Sequence, residues 1–167
     1  MTKFNLNKLL KDKFNRSVLI AFIIVILISA LDILFMKSGL FAKTLSDYMN
    51  GNYADGLWNM FKVIALTMMI SFGILYYFLI RQDKSEALAV VFVSYITWRF
   101  GLADLFFFWL QKKPVVDTLT WLQGNYPIQS VANMFTNGIV TSTTLYISVT
   151  VGILISLGTA WVLKNKM

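Results

Sequence analysis

Apolar residues run through this chain in four long, nearly uncharged stretches divided by short polar ones, at about 17–36, 57–80, 86–110 and 138–163. A run of about 20 such residues is the length a helix needs to cross a bilayer. The first stretch carries only Asp32 and the second only Lys62. The third carries Glu86, Arg99 and Asp104, and the fourth has no charge. Arg81-Gln-Asp-Lys-Ser85 is a tight charged turn, which predicts antiparallel packing of the second and third helices. The pattern predicts an all-α polytopic membrane protein, a four-transmembrane-helix bundle with short amphipathic interfacial helices.

Those shorter helices come from weaker periodicities. In residues 1–16, Leu6, Leu9, Leu10 and Phe14 share one side of a helix while Lys8, Lys11 and Arg16 lie mostly elsewhere. This predicts an amphipathic N-terminal segment on the membrane surface, ahead of a single transmembrane domain over 17–167. The following apolar run is too long for a signal-peptide core and lacks a small-residue cleavage pattern, so it is expected to stay on the chain. The connection 37–56 has room for a helical turn or two around Leu40, Phe41, Leu45 and Tyr48. Between the third and fourth spans, Val115, Leu119 and Leu122 have helical spacing, and so do Ile128, Val131 and Phe135. With Gly124-Asn-Tyr-Pro127 as the break, two short helices lying on the membrane face or dipping into it are expected.

Composition agrees with the pattern. Hydrophobic residues make up 57% and charged residues 14% of the 167 residues, against roughly half and a quarter in soluble domains. The net charge of +7 does not point to nucleic acid, because five of the fifteen basic residues precede the first apolar run within sixteen positions. That is the flank of a membrane helix at an anionic leaflet. With the N-terminus inside, basic residues concentrate on the inner side, at positions 3–16, 81, 84, 164 and 166. Only Lys37, Lys43, Lys112 and Lys113 fall outside. Both termini are therefore expected to be cytoplasmic, and the loops 37–56 and 111–137 to lie on the outer face. Trp58, Trp109 and Trp121 mark the outer boundary and Trp161 the inner one, as interfacial belts predict.

Ionisable residues within a span are expensive and serve as functional hypotheses by default. On straight helices, Asp32 and Lys62 each lie roughly 7 Å inside the outer boundary, Asp104 lies about 12 Å below Lys112, and Arg99 is near the middle. Arg99 and Asp104 are five positions apart and would point in different directions on one helix. At least one is then expected to find partners on other helices. The expected outer-side polar cluster comprises Asp32, Lys62, Trp98, Arg99 and Asp104, with Thr141, Thr144 and Ser148 from the fourth helix. Thr141, Thr144, Ser148, Gly152, Ser156 and Thr159 form one small hydroxylated stripe, and Ser148-xxx-Gly152-xxx-Ser156 permits close helix approach.

The chain contains no cysteine and no histidine. A familiar hydrolytic triad therefore cannot be assembled, and no metal site or cofactor is expected. The carboxylate dyad Asp32 with Asp104 is the catalytic arrangement the residues permit. Gly101-Leu-Ala-Asp104 resembles the Gly-x-Gly-Asp box of intramembrane aspartyl proteases, with alanine in place of the second glycine. Length, four spans and two intramembrane acids are similar to lipoprotein signal peptidases, whose asparagine- and aspartate-containing signatures do not occur here. Either resemblance implies an aspartate-dyad hydrolase. A small transporter using the same acids is the other active reading. The leading expectation is an interaction or accessory subunit, or a small binding protein. Its partners would be membrane lipid and other membrane subunits or further copies of itself, with no nucleic acid.

Overall fold

The structure, a computed structural model, describes residues 12–37, 54–81 and 83–166. The expected amphipathic segment, up to residue 11, and most of the first connection, 38–53, lie outside the described residues. The described chain is helical, and its long elements are α1 (Lys13–Lys37), α2 (Ala54–Tyr76), α3 (Lys84–Arg99) and α6 (Ser142–Lys166). Two shorter helices, α4 (Leu102–Leu110) and α5 (Tyr126–Phe135), precede α6. Three helices are long and apolar enough to cross a membrane, and the pair α3 and α4 together makes a bent fourth candidate.

The first helix begins earlier than its apolar run. Asp12 accepts from the Phe14 amide at 2.9 Å while its carbonyl takes the Arg16 amide. This is the geometry of an N-cap, and it places Lys13 to Arg16 in α1 rather than in a separate surface segment. At the other end of α2 the chain widens into one π-helical turn, Tyr77–Arg81. Asp83 then caps α3 by accepting from the Ser85 and Glu86 amides. Glu86 occupies the capping-box position three residues on, yet its carboxylate is used elsewhere.

Helix α3 is the centre of the bundle and packs on α1, α2 and α6. Its buried positions are 85, 86, 89, 90, 93, 94, 97 and 98, pairs repeating every four residues along one broad face. Ser94 and Thr97 are satisfied within that face, since each hydroxyl donates to the carbonyl four residues back, at 2.6 and 2.7 Å.

The third stretch is not one straight helix. It breaks at Phe100-Gly101, where α4 turns away from α3 by 74°. Gly101 supplies the physical reason: its φ of +94° closes α3, and the same residue opens α4 by accepting from the Leu105 amide. That backbone region is accessible to glycine at little cost. The depth of about 12 Å expected for Asp104 below Lys112 assumed a straight helix. With the bend, α4 advances along the α3 axis by only about 0.4 Å per residue, so Asp104 and the end of α4 lie at nearly one level.

Residues 111–141 fold back over that end of the bundle. A single 3-10 turn (Thr120–Leu122) and α5 stand where two short helices were expected. The break falls just before Tyr126, with Pro127 inside the first turn of α5, where a missing N–H is harmless. Leu119 donates to Val140 at 2.9 Å and Ser142 to Asp117 at 3.2 Å, so the two ends of the segment are tied together. Leu119, Leu122, Ile128 and Val140 are fully buried in the same core as Leu102, Phe108 and Leu145. The segment is therefore an integral cap of the bundle.

Candidate functional site

The cap end of the bundle is organised by the break in the third stretch. Ending α3 at Phe100 frees carbonyls that a continuous helix would satisfy. The Ser148 hydroxyl of α6 donates to the Phe100 carbonyl at 3.1 Å. Opposite it, Ser29 of α1 donates to the Ala103 carbonyl at 2.8 Å. Gly152 lets Phe100 approach: a Cβ there would meet the Phe100 Cβ at 2.4 Å. Gly101 is equally confined, since its Cβ would meet Leu145 Cδ1 at 2.4 Å. Two serines and two glycines on three helices thus hold the bend.

The break also decides where the predicted acids go. Asp104 lies in the first turn of α4, where the helix dipole favours a negative charge. The indole N–H of Trp121 reaches toward it at 3.4 Å, and the Trp121 ring lies 6.1 Å from that of Phe108. Asp32 follows Ser29 by three residues on α1, so both fall on the side of α1 that packs on α4. Of the predicted cluster, Asp32 and Asp104 stand on two helices, α1 and α4, that pack on each other, and Ser148 reaches the same break from α6.

The other predicted members have separate places. Arg99 is half-buried in the last turn of α3, where a cation favours the helix end. It pairs with neither Asp104 nor Asp32 among the described residues. Lys62 is half-buried on α2. Trp98 is buried in the main core against Tyr95, with ring centroids 6.4 Å apart. Thr141 immediately precedes α6 and Thr144 lies in its first turn. They cap α6 reciprocally, Thr144 Oγ1 accepting from the Thr141 amide at 2.8 Å and Thr141 Oγ1 from the Thr144 amide at 3.3 Å.

A second polar cluster sits at the opposite end, where α1 starts and α6 ends. Arg16 donates from its Nε to the Tyr76 hydroxyl at 2.8 Å and from Nη2 to Glu86 Oε1. Tyr76 in turn donates to Glu86 Oε2 at 2.6 Å. All three residues are buried, on α1, α2 and α3 respectively. Both carboxylate oxygens are occupied and the phenol both donates and accepts. A charge pair satisfied in this way holds three helices in one arrangement.

Exposed pairs surround it. Lys13 donates to Asp83 at 2.5 Å and Lys164 to Asp12 at 2.9 Å, tying α1 to the α2–α3 turn and to α6. The Lys13 ammonium beside Asp83, helped by the Ser85 hydroxyl, holds that carboxyl down at about 2 against the opposing effect of burial. Lys164 also lowers the Asp12 carboxyl below its ordinary value, with help from the Phe14 amide. Arg16 and Glu86 each stand at the edge of an apolar run and look like ordinary flanking charges, so the local pattern does not reveal this cluster. The available signal was their opposite sign at span ends assigned to the same side.

No protein-family model, no curated protein and no solved structure matches this chain.

Proposed function

We propose that this chain is an integral membrane protein crossing the bilayer four times, with both termini on the cytoplasmic side, and that it acts as an interaction or accessory subunit. The observation that carries this reading is the outward apolar surface of the long helices. Leu34 on α1, Val63 on α2 and Leu154 on α6 are each more than 60% exposed. Large apolar faces of that kind need lipid or another apolar partner. Polar side chains that could otherwise serve a reaction are engaged in holding the fold, as with Arg16, Tyr76, Glu86, Ser29, Ser148, Thr141 and Thr144.

The orientation rests on the basic residues. Lys13, Arg16, Arg81, Lys84 and Lys164 belong to the end where α1 begins, against Lys37, Lys112 and Lys113 at the cap end. That excess marks the cytoplasmic side. In this frame α3 supplies the fourth crossing alone. Its 16 residues extend about 24 Å, a little short of a hydrocarbon core of about 30 Å.

Blue-native electrophoresis of the chain purified in mild detergent, with cross-linking from single cysteines on the outward faces of α2 and α6, tests the subunit reading. A discrete complex with defined cross-links is the expected result. A lone monomer with no cross-linked partner in native membranes sinks it. One observation favours a second reading: Asp32 and Asp104 stand on α1 and α4, which pack on each other, a placement that suits a proton- or cation-handling acid pair in a small transporter or an aspartate-dyad enzyme. If Asp32→Asn and Asp104→Asn each leave complex formation intact but abolish a phenotype restored by the unmodified gene, that second reading replaces the first.

A further inference from the structure

Helix α4 has an exposed edge that neither the bundle core nor the predicted acids account for. Its sequence, Leu-Ala-Asp-Leu-Phe-Phe-Phe-Trp-Leu, is almost wholly apolar, yet it is not enclosed. Leu102 and Phe108 are buried, Phe106 and Phe107 are half-buried, and Trp109 and Leu110 are exposed, Trp109 by 67%. Its direction is set by the 74° turn at Gly101, so it lies almost across the axis of α3. Its height is set by α3, about 24 Å from the Lys84 end.

We propose that the exposed edge of α4 docks in the headgroup–acyl boundary of the bilayer leaflet at the cap end, so that α4 lies in the membrane plane instead of completing a crossing. The proposal rests on the membrane reading above and adds the depth, orientation and lipid-facing edge of this helix. Geometry brings α4 to the level where hydrocarbon gives way to headgroups. An indole at the exposed edge suits that layer, being apolar in body with a polar N–H. Charge then changes where the helix stops. Lys113 donates its amide to the Phe108 carbonyl and Lys112 to Trp109, a closure that places Lys112 in the left-handed region at φ +54°. Both lysines are exposed immediately after Leu110, where lipid phosphates would lie. An apolar edge bounded by two cations matches a leaflet surface. A second copy of this chain would bring two such lysine pairs toward one another.

The chain has no native cysteine, so a single-cysteine nitroxide scan from Leu105 to Lys113 is free of background. The protein is reconstituted in vesicles of phosphatidylcholine and phosphatidylglycerol, and label depth is read from accessibility to oxygen against a water-soluble nickel chelate. A label at Ile155→Cys, on the outward face of α6, serves as reference. The expected profile rises and falls with the helical period and shows no net drift from 105 to 110. A steady drift of about 1.5 Å per residue means a straight crossing and overturns the proposal. Labels shielded from both reagents, with spin–spin broadening at Leu110→Cys, mean that a second copy covers this edge and overturn it equally. If the Ile155→Cys label itself reads as water-exposed, the membrane reading has failed, and the scan distinguishes that case. An independent readout uses brominated phosphatidylcholine: the unmodified chain should lose a fluorescence component that Trp109→Phe lacks. Identical quenching of the two proteins counts against the proposal.

Discussion

At the scale of single residues, two of the three glycines with left-handed backbones among the described residues separate strain from crowding. Gly101 has φ +94° and a neighbour 2.4 Å from where a Cβ would stand, whereas Gly124 has φ +79° and nothing within 4 Å. Gly124→Ala should therefore cost only the backbone term, about 1 kcal/mol. Gly101→Ala carries the same term and must also displace Leu145, for a total of about 2–4 kcal/mol. Thermal unfolding of the three proteins in one detergent checks this. Equal midpoints for the two variants would mean that the bend is not held against α6 as described.

At the scale of elements, the Arg16–Tyr76–Glu86 cluster makes a prediction that depends on its completeness. Glu86→Ala leaves a buried guanidinium without its counter-charge and should destabilise by about 3–5 kcal/mol. The double replacement Arg16→Met with Glu86→Leu removes both charges and should recover most of that loss. If the double variant is as unstable as the sum of the singles, the pair is not coupled in the folded protein. The start of α3 adds a pH dependence. The folded Asp83 carboxyl titrates near 2, below its ordinary value of 3.8. Its contribution is present above about pH 4 and is lost as pH falls through about 2. Hydrogen exchange at the Ser85 and Glu86 amides, corrected for intrinsic rates, should speed up across that window, and Asp83→Asn should abolish the change. The charged turn that revealed the α2–α3 hairpin was legible in the sequence, as was the hydroxyl stripe on α6. Their uses were not. A stripe such as Ser148, Gly152 and Ser156 shows that something comes close, but the something was a carbonyl freed by a break 48 residues earlier. Gly101 was visible within an apolar run. Its positive φ depended on Leu145, Ile128 and Ser148 closing around it, and local sequence does not encode such contacts.

At the scale of the whole molecule, the long apolar helices and their order could be read from apolar run lengths, because about 20 apolar residues is the length a spanning helix needs. Relative height could not, since it required the direction of α4. The same apolar faces that made the helices legible supply the sharpest test of where the molecule resides. Ile70 stands near the middle of the apolar segment Met60–Leu79 and is 51% exposed. On a protein surrounded by water, Ile70→Lys would be neutral within about 0.5 kcal/mol. In the middle of a lipid-facing span, the same lysine costs roughly 2.5–3.5 kcal/mol on the insertion scale. Lys62 is no counterexample, because it lies two residues from the end of that segment, where a long side chain can reach the interface. Glycosylation mapping of a fusion carrying acceptor sites on each side of α2 measures the difference directly. The expected result is a marked fall in the inserted fraction for Ile70→Lys and none for Ile70→Leu. Equal insertion of the two would place the exposed face of α2 against something other than acyl chains: a second protein offering a carboxylate at that depth, or water.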